Sequence, residues 1–293
     1  MAAVTAPGAD LAVIVPHYED PVRLRTCLAA LAPQLAARPG TDCVVVDNAS
    51  SCDLAPLAAE FPAIRWVTEP RKGAAAARNR GVAETTAPAL LFLDSDCVPA
   101  HDWLATGLAL AGSADVIGGR IDTFDETPPP RSGAEAFETV FAFRQRSYIE
   151  DKGFSVTANL LTSRAVFEDV GPLVVGLSED MDWCFRATAK GYRLVYADAL
   201  RVAHPTRATW PALVKKWRRT TDEMFHLHGT GPRARATWAL RAGAVLASGP
   251  AHVPRLGRDG RLRGVERWRG AVALLRLRAV RAGWMLRQAL TGR

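Results

Sequence analysis

Leu90-Leu-Phe-Leu-Asp94-Ser95-Asp96 is the stretch of sequence that most constrains the fold and the chemistry of this chain. Four consecutive apolar residues are typical of a strand buried on both faces, and open α/β sheets bind ligands beyond the carboxyl ends of such strands. Two carboxylates one residue apart can hold a ribose and a hard divalent cation, either Mg²⁺ or Mn²⁺. An ordinary Asx turn at a strand end is the alternative, but the preceding apolar run favours a metal site.

Short apolar strands alternate with helical segments on the N-terminal side of this stretch. The predicted strands are residues 11–16, 42–47 and 64–68, and the predicted helices are 22–37 and 73–86. Strand–helix alternation at this spacing indicates an α/β fold with a mostly parallel central sheet flanked by helices. Asp47 closes the second strand as Asp94 closes the fourth. We therefore expect both carboxylates at the same edge of the sheet.

The pattern on the C-terminal side of the stretch is less regular. The predicted elements are strands at 115–121 and 154–162 and helices at 133–150, 179–190 and 210–228. Residues 125–132, with three consecutive prolines, form either a lid over the site or a plain connection, and the plain connection is the default. Gly249, Pro250 and Pro254 predict a boundary before the last segment of the chain.

Positive charge is concentrated in that last segment. The formal net charge is +7, but residues 251–293 hold eleven Arg against Asp259 and Glu266, or 11 − 2 = +9. The rest of the chain therefore carries 7 − 9 = −2. A basic tail of this kind usually meets an anionic partner, such as lipid headgroups, nucleic acid or an acidic surface of the same protein. Nucleic acid is disfavoured, because the sequence has no zinc-ligand spacing, RNP-like strand or KH loop.

Residues 266–292 are predicted to form a helix with an apolar face and a basic flank. The apolar face consists of Trp268, Val272, Leu275, Ala279, Ala282 and Leu286, and the flank consists of Arg269, Arg276 and Arg287. This composition is typical of a helix that lies at an anionic membrane surface, which makes residues 264–293 a candidate membrane contact. Packing of the helix on the rest of the chain, with Arg toward solvent, explains the pattern equally well.

Composition bounds the class of protein and its compartment. Hydrophobic residues make up 48% of the 293 residues and charged residues 23%, which excludes wholesale disorder. We expect no signal peptide, because residues 1–8 contain no basic n-region and no apolar h-region. We expect no transmembrane helix either, because the most apolar stretch, residues 237–253, is interrupted by Arg241 and Pro250. Five scattered cysteines without a CxxC pair predict reduced thiols in a cytoplasmic protein, which could attach peripherally to the inner face of the cell membrane.

A second group of carboxylates lies in Ser178-Glu179-Asp180-Met181-Asp182. Carboxylates are favoured at a helix N-terminus by the macrodipole, which is one explanation. The functional interpretation makes Asp180 a general base toward an acceptor hydroxyl. Asp182 competes for this role, but two residues along a helix point it roughly to the opposite side. Arg78 is placed to reach a base or a phosphate, although its segment alone is only an Ala-rich helix.

Together these motifs resemble family 2 glycosyltransferases of the GT-A fold. The matching segments are 13–18, 44–50, 73–81, 92–96, 158–164, 179–186, 191–193 and 202–204. They cover residues 10–206, and their order and spacing make the resemblance specific. The resemblance implies a GT-A catalytic domain over residues 1–206 and a helical, Arg-rich extension over 207–293.

The resemblance also implies a donor site. Its residues would be Pro16, His17, Tyr18, Asp47, Arg78, Asp94 and Ser95. Asp47 would bind the nucleotide base, Arg78 the base or the diphosphate, and Asp94 the ribose. The sequence departs from the commoner family pattern at Asn48, where many relatives have a second acidic residue, and this departure weakens any prediction of base specificity.

The remaining implied roles concern the metal and the transfer step. Asp96 would ligate Mn²⁺ or Mg²⁺, and His204 would be a further ligand or a diphosphate contact, although it could equally be a structural loop residue. Asp180 would be the catalytic base, and Glu179 would contact hydroxyls of the acceptor or the sugar. The implied activity is inverting transfer of a sugar from a nucleotide-diphosphate donor to a hydroxyl of a glycan, a lipid carrier or a small molecule.

Two other functions compete with glycosyl transfer. A nucleotidyltransferase would show a Gly-rich, basic stretch after the first strand, where this chain has Pro16-His-Tyr-Glu-Asp20. A non-catalytic sugar-nucleotide-binding protein would not need the candidate catalytic carboxylates Asp94, Asp96 and Asp180. Both alternatives are therefore disfavoured, and no feature of the sequence separates UDP-sugars from GDP- or dTDP-sugars.

Overall fold

A computed structural model of the chain describes residues 8–292. The strands are β1 (Leu11–His17), β2 (Thr41–Asp47), β3 (Arg65–Thr68), β4 (Ala89–Leu93), β5 (Val98–Pro99), β6 (Val116–Phe124), β7 (Asn159–Ser163) and β8 (Leu194–Pro205). The helices are α1 (Pro21–Ala36), α2 (Ala55–Glu60), α3 (Ala74–Ala83), α4 (Trp103–Leu110), α5 (Gly133–Phe141), α6 (Gln145–Glu150), α7 (Arg164–Val170), α8 (Glu179–Ala189), α9 (Trp210–His228), α10 (Pro232–Arg258) and α11 (Gly264–Thr291).

The strands form one sheet in the order β3-β2-β1-β4-β7-β6-β8-β5. Its first half is parallel, as the strand–helix alternation predicts: β1 pairs with β2 and β4, and β2 with β3. Beyond β4 the sheet turns antiparallel in the pairs β4/β7, β6/β7 and β5/β8. The parallel register sets His17 opposite Asp47, so the carboxyl ends of β1 and β2 lie side by side.

The α/β fold class and the N-terminal elements are confirmed, whereas two elements in the middle of the chain differ from prediction. The helix predicted over 133–150 is broken between α5 and α6, where Phe143 adopts φ +48°, a left-handed conformation that an α-helix cannot contain. The strand predicted over 154–162 is reduced to β7, and residues 154–158 before it are irregular. Local hydrophobic pattern alone does not distinguish such a buried loop from a strand.

By internal contacts the chain divides into two units. The unit that carries all the candidate site residues is called the catalytic unit, and it contains the described residues up to Asp122 together with Arg144–His204. The helical unit contains Thr123–Phe143 and the described residues from Pro205 onward. Sequence inspection predicts a single boundary near residue 206, whereas α5 groups with the C-terminal helices by its contacts.

In the catalytic unit, small residues let α3 approach the sheet closely. Ala75, Ala76 and Ala77 are buried, and a Cβ at Gly81 would overlap the Cγ2 methyl of Ile14 in β1. Because α3 sits against β1, its residue Arg78 is held next to the carboxyl edge of the sheet, one turn before Gly81.

The helical unit is built around α11, which packs on α5, α9 and α10. α10 runs through Pro250 and Pro254 without interruption, so the boundary predicted there is wrong. Both prolines are on the exposed side of α10, while Trp238, Ala242, Gly249 and Leu256 are buried along its length. That continuous packing compensates for the local cost of proline inside a helix. No helix within residues 8–292 combines the length and the apolar character needed to cross a bilayer.

Residues 125–132, the candidate lid, are bonded to other parts of the helical unit. Thr206 donates from Oγ1 to Asp125 at 2.6 Å, and Arg131 donates from Nε to the same carboxylate at 2.6 Å. The Arg131 backbone N–H also donates to Glu266 in α11 at 2.9 Å. These bonds favour the plain connection over the lid.

Candidate active site

The carboxyl edge of the parallel strands brings together most of the residues singled out in the sequence. Asp94 follows β4 directly, as predicted, and Asp96 lies two residues beyond it. Ser95 is half-buried between them. Pro16 lies inside β1, opposite Val46, with its side chain buried, so it supports the edge from within the sheet.

Arg78 links two of the carboxylates singled out in the sequence, Asp94 and Glu179. Its guanidinium, only 5% exposed, donates from Nη2 to Asp94 at 2.6 Å and from Nη1 to Glu179 at 3.0 Å. Burial acts to lower the pKa of Arg78, but Asp94, Asp180 and Glu179 outweigh it and raise the pKa above its ordinary value. Arg78 is therefore a permanent, buried cation between these carboxylates.

Asp180 is the most perturbed acid of the site. Burial is the largest cause, and with the neighbouring Glu179 charge it raises the pKa of Asp180 to about 7, while Arg78 and a hydrogen bond from Thr157 act in the opposite direction. The Thr157 hydroxyl donates to Asp180 Oδ1 at 2.6 Å. A carboxylate with a pKa near neutrality is suited to accept a proton at physiological pH.

Asp182, the competing candidate for the base, is engaged elsewhere. Its Oδ2 accepts from Arg186 Nε at 2.9 Å, one turn along α8. Arg186 continues to the carbonyls of Val170 and Pro172, so this pair ties α8 to the loop that precedes it. The pairing gives Asp182 a structural partner and leaves Asp180 as the better-placed base.

Asp96 and His204 form the candidate metal site. His204 Nε2 lies 3.1 Å from Asp96 Oδ2, and β8 presents His204 beside the Asp94–Asp96 turn. Adjacent ligands in the octahedral shell of a Mg²⁺-like ion are about 3 Å apart, so the separation of these two atoms is compatible with one shared ion. Such ions are commonly held by one or two side chains plus substrate phosphates and water; within residues 8–292 no cluster of three ligand-type side chains occurs.

Asp47 is oriented by two neighbours that were not assigned this role from sequence. His17 Nδ1 lies 3.2 Å from Asp47 Oδ1, and the Ser50 hydroxyl donates to the same oxygen at 2.5 Å. His17 Nε2 accepts the Asp20 backbone N–H at 3.1 Å, so the ring proton is on Nδ1 and is donated to Asp47. Asp47 is therefore fixed as an acceptor at the end of β2.

Asn48, the departure from the family pattern, has a structural role. Its side-chain amide donates to the carbonyls of Glu69 and Arg71 at 2.9 and 2.6 Å, and its Oδ1 accepts the Gly73 N–H at 2.7 Å. Asn48 thereby holds the loop that leads into α3. Lys72 of this loop lies 4.3 Å from the centre of the exposed Tyr18 ring, which flanks the Asp47 side of the site.

Comparison with known sequences identifies the family of the chain. The sequence pattern described as Glycosyl transferase family 2 matches residues 12–171, more than half of the chain. The chain belongs to glycosyl transferase family 2. This glycosyltransferase is 30% identical over 218 residues to glycosyltransferase AglE of Haloferax volcanii, and the match covers 71% of each chain.

A second relative is longer than this glycosyltransferase. The pre-mycofactocin glycosyltransferase of Mycobacterium tuberculosis is 28% identical over 209 residues, which are 68% of this chain and 43% of that protein. The region aligned with this chain therefore spans less than half the length of that relative.

Solved structures confirm the GT-A fold of this glycosyltransferase. The mannosyltransferase PcManGT from Pyrobaculum calidifontis, solved with GDP-Man and Mn²⁺, superposes with a TM-score of 0.55 at 18% identity, over 100% of this chain and 80% of that one. TarS 1-349 of S. aureus, solved with UDP-GlcNAc, superposes with a TM-score of 0.51 at 17% identity, over 73% and 66% of the two chains. At these identities the likeness concerns the fold.

Proposed function

We propose that this glycosyltransferase inverts the configuration of the transferred sugar, with Asp180 as the general base. The observation that carries the proposal is the environment of Asp180: a buried carboxylate with a pKa raised to about 7, hydrogen-bonded to Thr157 and next to the Arg78 cation. A base with these properties, close to a cation for an anionic ligand, is what transfer to an unactivated hydroxyl requires.

The donor would be a nucleotide-diphosphate sugar bound along the carboxyl edge of the sheet. Asp47, held by His17 and Ser50, accepts from the nucleotide base. Asp94 accepts from the ribose hydroxyls, and Arg78 compensates charge on the diphosphate. The exposed Tyr18 ring beside Lys72 offers a surface for the base to stack on.

Asp96 and His204 would hold Mn²⁺ or Mg²⁺, which when bound would offset negative charge on the leaving diphosphate. Asp96 supplies a hard oxygen ligand and His204 a nitrogen ligand, and this donor pair favours Mn²⁺ over Mg²⁺. Asp94 pairs with Arg78 and Asp96 with His204, and these different partners support separate roles for the two acids of the turn.

In the transfer step the acceptor oxygen attacks the anomeric carbon from the face opposite the diphosphate. The bond from the anomeric carbon to the diphosphate oxygen breaks, and its electron pair stays on that oxygen. Asp180 takes the proton of the acceptor hydroxyl, and Glu179 contacts a hydroxyl of the acceptor or the sugar. Attack from the opposite face inverts the anomeric configuration.

Replacing the base tests the proposal. Asp180→Asn should bind nucleotide and Mn²⁺ with affinity close to the native protein but lose about a hundredfold to ten-thousandfold in transfer rate. Nucleotide affinity is measured by calorimetry and transfer by release of nucleoside diphosphate; release of pyrophosphate instead would indicate a nucleotidyltransferase. Asp182→Asn is the matched control, and the assignment is wrong if that variant loses the rate while Asp180→Asn keeps it.

Replacing the metal ligand tests the cofactor separately. Asp96→Asn should abolish the Mn²⁺-dependent part of donor binding and cut turnover severely, because it removes the charged oxygen ligand while preserving shape. His204→Asn should produce the same defect in weaker form. Full turnover of the native protein in EDTA would contradict a metal at this site.

We also propose where the enzyme works and what it meets there. The acceptor is a glycan, a lipid carrier or a small molecule, and the compartment is the cytoplasm, which is supported by the five free cysteines. We further propose that residues 264–293 contact the inner face of the membrane, which is supported by the +9 charge of residues 251–293. Residue 293 lies outside the described residues.

A further inference from the structure

α11 has two apolar faces on opposite sides. The inner face packs within the helical unit and consists of Glu266, Gly270, Ala273, Leu274, Leu277, Arg281, Ala282, Met285 and Gln288. Spacings of three and four residues keep these positions on one side of a helix. This face provides the core contacts of α11 with its three neighbouring helices.

The outer face is apolar as well, but it is exposed. It consists of Val265, Trp268, Val272, Leu275, Ala279, Leu286 and Leu290, again spaced mainly by three and four residues. Trp268 is 71% exposed and Leu290 79% exposed. The face predicted from sequence to be apolar is therefore this outer face, apart from Ala282, which belongs to the inner one. A surface helix needs only one apolar face to pack, so the second face is not explained by the fold.

Cations border the outer face, and carboxylates are missing from it. Arg269, Arg276 and Arg287 are exposed along one flank, and no salt bridge joins any of them to a carboxylate within residues 8–292. Arg276 stacks over the Trp210 ring at 4.3 Å, and Arg269 donates to the Arg131 carbonyl at 3.2 Å. Both contacts orient the side chains without neutralising them.

The acids of α11 and of the loop before it are already engaged. Glu266 is the one acid of α11; it lies on the inner face and accepts the backbone N–H groups of Arg263 and Arg131. Asp259, before α11, is paired with Arg261. α10 contains no Asp or Glu from Pro232 to Arg258. The two longest helices therefore present positive charge with little to offset it.

We propose that the outer face of α11 is the surface through which the enzyme binds an anionic lipid bilayer. The helix lies along the bilayer surface, with Trp268 and the aliphatic side chains among the acyl chains and Arg269, Arg276 and Arg287 at the lipid phosphates. The charge pattern favours this occupant, because a second copy of the chain would bring the same cations together. The inference rests on the proposed membrane association and not on the chemistry of Asp180.

Vesicle co-sedimentation with the full-length protein tests the surface. The native protein should bind vesicles that contain phosphatidylglycerol at low salt and bind phosphatidylcholine vesicles far more weakly. Trp268→Ser combined with Leu286→Ser should weaken binding on the order of tenfold per side chain. Arg269→Gln combined with Arg287→Gln should weaken it about fivefold per Arg and reduce its dependence on salt. All four positions are exposed, so the fold should be retained.

Val22→Ser is the matched control, because Val22 in α1 is 76% exposed but lies in the catalytic unit; it should bind vesicles like the native protein. If the native protein ignores anionic vesicles, the proposal fails, while release of nucleoside diphosphate still reports on the transferase activity. If the Trp268 and Leu286 variant binds like the native protein, the assigned face is wrong. A native dimer that this variant converts to a monomer would make the face a contact between copies.

Discussion

The Arg78 guanidinium is shared by two carboxylates with different proposed tasks. In the proposed mechanism Asp94 serves the donor and Glu179 the acceptor, and Arg78 bonds to both carboxylates. A diphosphate that binds Arg78 would compete with both carboxylates for the same donors. Donor binding would thereby change the electrostatic environment of Asp180, whose pKa depends on Glu179 and Arg78.

Thr157 is a positioning residue for the proposed base, and its removal gives a prediction at the scale of one hydroxyl. The rate of transfer should rise with pH through about 7 as Asp180 loses its proton. The Thr157 hydrogen bond stabilises the carboxylate and lowers its pKa, so Thr157→Val should move the inflection of kcat/KM to higher pH. The pH–rate profile is the measurement.

Thr157→Ser keeps the hydroxyl and is the control for the Thr157→Val experiment. It should restore the inflection to near its native position. A purely structural role for Thr157 would lower the rate of Thr157→Val at every pH without moving the inflection, and that result would contradict the positioning role.

The sequence predicts the charged residues of the site better than their supports. Asp94, Asp96 and Asp180 follow recognisable strand-end and helix-start patterns. Thr157 does not, because its bond to Asp180 spans 23 residues and no local pattern indicates it. The role of Asn48 is hidden for the same reason: it is defined by carbonyls more than twenty residues away.

At the scale of elements, the packing of α3 on β1 depends on the missing side chain of Gly81. A Cβ there would overlap the Ile14 methyl, and Ile14 is fully buried and cannot move aside. Gly81→Ala should therefore destabilise the fold by about 1–3 kcal/mol, measured by denaturant unfolding. Since Arg78 lies one turn earlier in α3, donor affinity should fall as well.

Gly243 in α10 provides the opposite case. A Cβ at Gly243 meets no atom within 4 Å, and the residue lies inside a helix. Gly243→Ala should stabilise the fold by about 0.5–1 kcal/mol, because alanine loses less backbone entropy in a helix. Equal effects of the two substitutions would contradict the packing argument for Gly81.

Element positions in the parallel half of the sheet follow from sequence because each buried strand and its helix are local patterns. The end of α5 and the continuity of α10 do not follow from sequence, because long-range contacts decide both. α5 ends at Phe141, where Ala142 turns to an extended conformation with ψ 150°, and α10 passes two prolines because α11 supports it along its length. Local helix propensity is overridden where burial against other elements contributes more free energy than the propensity does.

At the scale of the whole molecule, the two units should respond to acid in opposite ways. In the helical unit burial raises the pKa of Glu138, but Lys216 and Arg207 outweigh it and lower the pKa below its ordinary 4.5. The stability from this network is present above that value and is lost as the pH falls below it. In the catalytic unit, the pKa of Asp180 is raised from 3.8 to about 7, so stability falls as the pH rises through that interval.

Hydrogen exchange measured segment by segment would distinguish the two units. As the pH falls from 7 to 5, the rate of amide hydrogen exchange in α8 and β7 of the catalytic unit should decrease, once the rate is corrected for its intrinsic pH dependence. Below pH 4.5, the exchange rate should rise first in α5 and α9, because the ion pair between Glu138 and Lys216 joins these two helices. Glu138→Gln should remove most of the acid response of these two helices. A single response shared by both units would contradict the prediction.

The discontinuous helical unit has a consequence for synthesis of the chain. α5 leaves the ribosome early, yet its core partner α11 ends about 150 residues later. At about 5–20 residues per second, Phe137 and Phe141 lack the α11 part of their core for roughly 8–30 s after they are made. The nascent catalytic unit therefore emerges with an apolar segment inserted in it, which is open to non-native contacts until α11 is made. Slowing translation after residue 143 would prolong that exposure and should increase aggregation.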